Sequence, residues 1–443
     1  MQEAGLYLFG VLILLLGLAI SIGLHEVGHL LPAKLFNVKV LRYMIGFGPT
    51  LWSSKKGETE YGIKLIPLGG YVAMTGMYPP KVEGESARNS STGAINSLID
   101  DAREISNEAV EIGDDARTFY KLPVLKKIVV MLGGPLMNLV LAVVFMSIVI
   151  SGFGVEQVTT KVQTVSECLV PAGSEITECD ASFAQAPAAA AGILPGDEIV
   201  SINGTVVKEW SQVPQIISES PDIPIQIEVV RAGSTENLTV VPASNEKFVV
   251  DDLGRITLDE SGQPITETVG MIGVSPAIEH VRLPLSDTPV YVFDNVKAVA
   301  NIIINMPERL VAVWNAAFGP DERELDSPIS VVGVGRIAGE IVSNDGTPIL
   351  DKARSIFGLL ASLNVALFVF NLVPLPPLDG GHIAGAVYEW SKRSLWRIFG
   401  KRDPGPVDTA KMVPVTLAVA AVLIGMTILL IYADLVKPIN LFN

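Results

Sequence analysis

Residues 6–29 read LYLFGVLILLLGLAISIGLHEVGH, an almost unbroken apolar run that ends in His25-Glu26-Val27-Gly28-His29. The run is long enough to cross a bilayer as a helix, so two histidines and a carboxylate sit at the end of a membrane span. On a helix, positions i and i+4 share a face about one turn apart. Both imidazoles can then reach one metal ion while Glu26 stays free to act as a base, which is what a hydrolytic zinc centre needs. The competing reading is a packed or solvated helix that carries two histidines by chance. The chain has only 4 histidines, and its composition gives on the order of 0.002 such matches. A charged side chain at the centre of a spanning helix costs roughly 2.5–3.5 kcal/mol on insertion scales, so such groups mark function. The metal reading therefore leads, with His25 and His29 as ligands of one catalytic Zn2+ and Glu26 as the catalytic base.

The rest of the chain agrees with a membrane protein. Of 443 residues only 18% are charged, and the mean hydropathy is +0.44. Stretches at about 6–31, 127–153, 354–376 and 412–433 are each long and apolar enough to span. The first lacks a basic n-region and a small-residue cleavage site, so it reads as a retained helix and not a signal peptide. Segment 155–300 carries 21 acidic against 7 basic residues, nearly the whole net charge of −15, which argues against nucleic acid as a partner. Lys and Arg are denser in 32–122 and 380–411. The positive-inside tendency assigns those loops to the cytoplasm, with 155–300 and both termini outside the plasma or inner membrane. The only 2 cysteines, Cys168 and Cys179, lie in that outer segment and read as a disulfide closing a short loop. Two free thiols or metal ligation are the alternatives.

Taken in order, Pro32-Ala33-Lys34 ends the first helix. Glycine-rich turns between short apolar or alternating stretches over 33–80 then predict β-hairpins. Next to the metal motif these form a re-entrant sheet, since non-helical backbone is tolerated at membrane depth where it lines a cavity. A helical substrate hides its peptide bonds in its own ladder, so a sheet edge is needed to receive it once unwound. Thr59–Val72, with Tyr61, Ile63 and Leu65, is the expected edge. The polar insertion 81–122 carries no chemistry, with weak helical periodicity over Ala94–Ala116. Span two contains Gly133-Gly134-Pro135-Leu136-Met137-Asn138, small residues that let helices approach. Asn138 fits either helix packing or the wall of the active-site cavity. Ala188–Gly204 (AAAAGILPGDEIVSING) resembles the PDZ-domain pattern and predicts one such domain over about 183–245, able to bind an extended peptide. Val292, Val296, Val299, Ile303 and Leu310 share one face of an amphipathic helix over 289–318, kinked at Pro307 and packed on the PDZ domain or lying on the membrane. Span three ends in Asn371-Leu372-Val373-Pro374-Leu375-Pro376-Pro377-Leu378-Asp379-Gly380-Gly381-His382. The prolines stop the helix, a glycine turn positions Asp379, and Asp379 completes the three protein ligands of a catalytic zinc. His382 reads as a histidine supporting the ligand set, with direct ligation the alternative.

HExxH in the first span paired with N-x-x-P-x-x-x-x-D-G in the third resembles the bacterial site-2 proteases. GFGPTLW (46–52), ETEYGIKLIPLGGYV (58–72) and GGPLMN (133–138) stand where that family has similar strings. One PDZ domain and two outer cysteines resemble its actinobacterial branch. The resemblance implies zinc ligands His25, His29 and Asp379, general base Glu26, and Asn371 holding the substrate strand. It implies substrates among single-pass membrane proteins such as anti-sigma factors, cut after a site-1 protease has trimmed them, and remnant signal peptides. The expected architecture is a polytopic α-helical membrane protein with four transmembrane helices, a membrane-associated β region and one extracytoplasmic PDZ domain. Its parts are helix one (1–32), the re-entrant β region (33–80), the insertion (81–122) and helix two (123–154). They continue with the outer region (155–285), the amphipathic helix (286–320), helix three (321–380), a basic loop (381–411) and helix four (412–443). A non-catalytic PDZ-bearing receptor and a zinc transporter are the rival classes. The intact Glu26 argues against the first, and the lack of further intramembrane ionisable groups in spans two and four against the second.

Overall fold

A single helix of 34 residues, α1 (Gln2–Leu35), carries the apolar run and the metal motif without a break. The structure, a computed structural model, describes residues 2–79, 99, 115–169, 179, 185–249, 257, 263–320, 322–323 and 327–439. Pro32 does not end α1, contrary to the sequence reading; it lies inside the helix, which runs on to Leu35. A proline removes one ladder donor, here the partner of the Gly28 carbonyl, and the turns on either side still close. The expected surface helix within 94–116 falls largely outside the described residues.

Four helices are long and apolar enough to cross a membrane, at Glu3–Leu35, Val124–Phe153, Ile349–Asn371 and Thr409–Val436. They belong to a unit made of residues 1–153 and 284–443. After α1, its helices among the described residues include α2 (Val124–Ser147), α3 (Thr288–Ile304), α4 (Met306–Phe318), α5 (Val331–Ser343), α6 (Ile349–Asn371), α7 (Asp379–Ile398) and α8 (Val413–Val436). Apolar helices in lipid gain little from burial alone, so close backbone approach decides where they meet. α1 uses a different glycine for each neighbour. Gly10 lies against the Ala338 carbonyl of α5, Gly17 against Leu360 of α6, and Gly28 against Gly133 of α2. Polar side chains add register: Asn364 Nδ2 donates to Ser21 Oγ at 2.9 Å, joining α6 to α1 one turn before His25. Buried Asp434 of α8 accepts from Arg323 at 2.5 Å and from the Ser330 amide at 2.7 Å.

Three sequence expectations change here. The stretch 321–380 is not one span, because α5 forms a separate helix packed on α1 before α6 begins. The amphipathic stretch is two helices, α3 and α4, broken at Asn305, since Pro307 has no amide N–H to give the Ile303 carbonyl and its ring crowds that turn. α3 packs on α2 and α6. The supposed basic loop 381–411 opens with a 20-residue helix, α7, whose first residue is Asp379.

The β region corrects the reading of the substrate edge. β1 (Val40–Lys56) and β2 (Thr59–Met74) each turn back on themselves. Tyr43 is paired with both Val72 and Tyr61, and Ile45 with both Gly70 and Ile63. Tyr61 and Ile63 pair again on their other side, with Ser54 and Trp52. Four strand segments therefore lie in the order 70–74, 40–47, 59–66, 50–56. Tyr61, Ile63 and Leu65 sit on an interior strand whose backbone is already used. The Tyr61 hydroxyl also accepts from Lys34 Nζ at 2.6 Å. The open edge on the side of β1's first half is Gly70–Met74. Gly46 and Gly48, at φ 91° and 84°, make the bend that lets β1 serve both neighbours.

The second unit, residues 154–283, is β-rich. Its main sheet has six strands: β3 (Val155–Val165), β4 (Glu198–Ile202), β5 (Thr205–Val206), β6 (Ile225–Arg231), β7 (Ser234–Val240) and β10 (Val274–Val281). The order is β10-β3-β4-β6-β7, with β5 on β4. β8 (Ala243–Phe248) and β9 (Thr266–Met271) form a separate pair. The sheet thus reaches well beyond 183–245, because β3 and β10 pair with each other across most of the unit. Ile193, Ile199, Ile202, Ile225 and Ile227 are fully buried in its core. Cys168 and Cys179 are bridged, with Cα atoms 5.8 Å apart.

The Gly196-Asp197 turn has a clear purpose. Asp197 Oδ2 accepts from the Leu194 amide at 2.9 Å and from Arg231 Nη2 at 2.7 Å, and Oδ1 accepts from Arg231 Nε at 2.8 Å. The Arg231 guanidinium holds the Asp197 carboxyl below the usual carboxylate range. A depressed folded-state value means the stabilisation is complete above the unfolded carboxyl's pKa and is lost as pH falls through the folded one. Asp197→Asn should lower stability by roughly 2–3 kcal/mol near neutrality. The gap to wild type should close as pH falls below about 4, the range in which an unperturbed aspartate titrates. Thermal unfolding of both proteins across pH checks this; a gap constant down to strong acid would contradict it.

Candidate metal centre

The HExxH spacing works as the helix geometry requires. His25, Glu26 and His29 are all buried, and the two Nε2 atoms stand 3.1 Å apart. The third group arrives from the other end of the chain. α6 ends at Asn371, the segment 372–378 turns back through its prolines, and Asp379 opens α7. Its carboxylate is favoured there by the positive end of the helix dipole. Asp379 Oδ2 lies 3.3 Å from Nε2 of His25 and 3.3 Å from Nε2 of His29. Ligand atoms bound about 2.0–2.1 Å from a tetrahedral zinc stand about 3.3–3.4 Å apart, and this triangle matches.

The hydrogen bonding agrees with a cation at its centre. His29 Nδ1 donates to the Val130 carbonyl at 2.8 Å. A carbonyl only accepts, so the proton is on Nδ1 and the Nε2 lone pair faces the triangle. Buried Asp379 Oδ2 has no hydrogen-bond partner. A lone pair and an unpartnered carboxylate oxygen meeting in a buried place are a metal donor set. Among the described residues these three form the cluster able to hold a metal.

α2 closes the site from the side. Gly28 and Gly133 approach so nearly that a methyl group on either would overlap the other's carbonyl oxygen. A Cβ on Gly134 would overlap His29 Nε2 and stand 2.7 Å from His25 Nε2. The amide of Asn138, also on α2, lies 3.0 Å from His25 Nδ1. α7 is tied to α2 by a buried pair, Lys127 Nζ to Glu389 Oε2 at 2.8 Å, which holds Asp379's helix against the one that roofs the imidazoles.

Glu26 faces the β region: a Cβ on Gly70 would stand 2.9 Å from its Cγ. Its carboxylate is near enough to His25, His29 and Asp379 to interact with each. Asn371 Nδ2 donates to the Leu367 carbonyl of its own helix at 3.0 Å. His382, one turn along α7 from Asp379, stands outside the metal cluster and lines a cavity of about 610 Å³ with Tyr78, Tyr388, Lys392 and Asp408. The Tyr61 ring packs on Tyr43, with centroids 5.8 Å apart, while Ile63 and Leu65 are exposed. Sequence reasoning named Gly134 only as a small residue for helix approach, and missed the Val130 carbonyl and the Lys127–Glu389 pair.

Gly134→Ala should therefore leave a folded protein that purifies with well under one zinc per chain. Gly425→Ala, which meets open space, should keep its zinc. Metal content by mass spectrometry is the measurement. Stoichiometric zinc in folded Gly134→Ala would refute the packing argument.

Comparison with known proteins agrees with this geometry. The model of peptidase family M50 matches residues 13–400. Zinc metalloprotease Rip1 of Mycolicibacterium smegmatis is 34% identical over 98% of this chain and 100% of its own length. Zinc metalloprotease Rip1 of Mycobacterium tuberculosis is 32% identical over 99% of this chain and 100% of its own. Metalloprotease MmpA of Caulobacter vibrioides is 29% identical over 85% of each. The chain belongs to peptidase family M50, the site-2 protease family of membrane-embedded zinc metallopeptidases.

Proposed function

We propose that this intramembrane zinc metalloprotease hydrolyses peptide bonds within the membrane segments of single-pass proteins, among them anti-sigma factors already trimmed outside and remnant signal peptides. The observation that carries the reading is the convergence of His25, His29 and Asp379 beside Glu26 at the end of a membrane helix. Zinc, when bound, supplies a Lewis acid and makes water a nucleophile near neutral pH. Glu26 takes the proton of the attacking water and delivers it to the leaving amine. The cavity beside His382 is the route for water. Asn371 holds the substrate by exchanging its bond to Leu367 for one to the substrate backbone.

Unit 154–283 is proposed to be a PDZ-type module on the outer face. Its support is the Leu194–Asp197–Arg231 turn and a groove of about 400 Å³ between the helix Gln212–Ser218 and β9. The basic residues of 380–411 support a cytoplasmic place for that stretch. Glu26→Gln should keep its zinc and lose about 10²–10⁴-fold in cleavage rate, because only the proton carrier is gone. His25→Ala and Asp379→Ala should lose the metal as well. Glu26→Gln used as a trap names the bound substrates, and repeating the capture without 154–283 measures that unit's share. Wild-type cleavage by purified Glu26→Gln would end the assignment.

The sheet edge Gly70–Met74 is proposed to take the unwound substrate as an added strand. It lies against Glu26 and pairs on one side only among the described residues. Freed backbone groups in an apolar setting cost several kcal/mol each if unpaired, so an open edge is the needed partner. Adjacent residues of a strand direct their amides to opposite sides, so of Tyr71→Pro and Val72→Pro one removes an outward donor and spares the ladder. That variant should fold, bind zinc and lose most cleavage of a membrane helix, while an already extended peptide is cut nearly as before. Wild-type rates on the helix would exclude this edge.

A further inference from the structure

We propose that Asn138 is a positioning residue for the metal centre: its side-chain carbonyl holds His25 in the tautomer that presents Nε2 to the zinc. The inference rests on the metal-centre reading above. Asn138 is fully buried on α2, with its amide 3.0 Å from His25 Nδ1, and its Oδ1 has no hydrogen-bond partner. The two ends of a carboxamide have the same shape, so chemistry decides which one faces the ring. His25 points Nε2 at Asp379 and His29, so as a ligand its lone pair is on Nε2 and its proton on Nδ1. Nδ1–H is a donor and requires an acceptor. An amide NH2 facing it would set two donors against each other in a buried place, at a cost of about 1–3 kcal/mol. With Oδ1 toward the ring, the orphaned acceptor and the ring proton satisfy each other.

The two histidines are thus held by different means. His29 uses the Val130 main-chain carbonyl, which substitution of Val130 cannot remove. His25 depends on a side chain. Helix packing does not account for Asn138, because α1 and α2 already meet through Gly28 and Gly133 a turn or more away.

Full-length protein in detergent carries the test, with zinc affinity read by chelator competition and coordination by the visible spectrum of the cobalt(II) form. Asn138→Leu keeps the volume and removes the acceptor, and should weaken zinc binding about 10–100-fold and alter the cobalt bands. Asn138→Asp keeps an acceptor and should bind zinc at least as tightly as wild type, with an unchanged band pattern. Circular dichroism establishes that each variant is folded. A folded Asn138→Leu with wild-type affinity and cobalt spectrum would overturn the proposal and leave Asn138 as packing. Where Asn138→Leu does not fold, Asn138→Asp decides alone: affinity at or above wild type supports the role, and a tenfold loss or more refutes it. Loss of activity in Glu26→Gln with zinc retained is independent of both results, so failure here is separable from failure of the protease assignment.

Discussion

The candidate metal centre is built across one contact, the approach of the α1 and α2 backbones at Gly28 and Gly133. Lipid offers no hydrophobic reward for bringing two apolar helices together, so dispersion between closely packed backbones must do it. The same approach lays Gly134 on the imidazole rings and brings the Val130 carbonyl and the Asn138 amide to their Nδ1 atoms. A larger residue at this crossing would move the roof and the hydrogen-bond partners together. Ligand geometry and helix packing are one constraint here.

Polar pairs inside the apolar unit set the remaining distances. Asn364 on Ser21 fixes how far α6 slides along α1, and therefore where the return segment begins. Lys127 on Glu389 fixes α7 against α2 at the level of the metal group. Each would be costly unpaired, so a slipped arrangement loses more than contact area. Asp379 is consequently located by two independent ties, one before and one after the prolines.

What was legible in the sequence follows the range of the interaction. The metal motif is local: two histidines on consecutive turns, read directly from spacing. The four spans are local sums of hydropathy and emerged within a few residues. The pairing of Asp379 with the histidines was read from a carboxylate at the end of a span and a three-ligand count, and its placement on a helix start was missed because Pro374, Pro376 and Pro377 announce a stop without announcing what restarts. Tyr61, Ile63 and Leu65 have the alternation of an edge strand, but whether a strand is an edge depends on Ser54 and Trp52 folding back, which local pattern does not carry. α5 was absorbed into the following span because Val331–Ser343 is apolar and short, and only its packing on α1 sets it apart. β3 escaped the PDZ-like pattern because its partner β10 lies at the far end of the unit.

The wide separation of the three candidate ligands along the chain bears on biogenesis. His25 and His29 leave the ribosome before Asp379, with about 350 residues and the whole β-rich unit made in between. Until then the imidazole pair has no carboxylate to complete it, and a nascent or truncated chain holds an incomplete donor set. The third member of the donor set thus joins the other two only after the helices that precede it in the chain have been made.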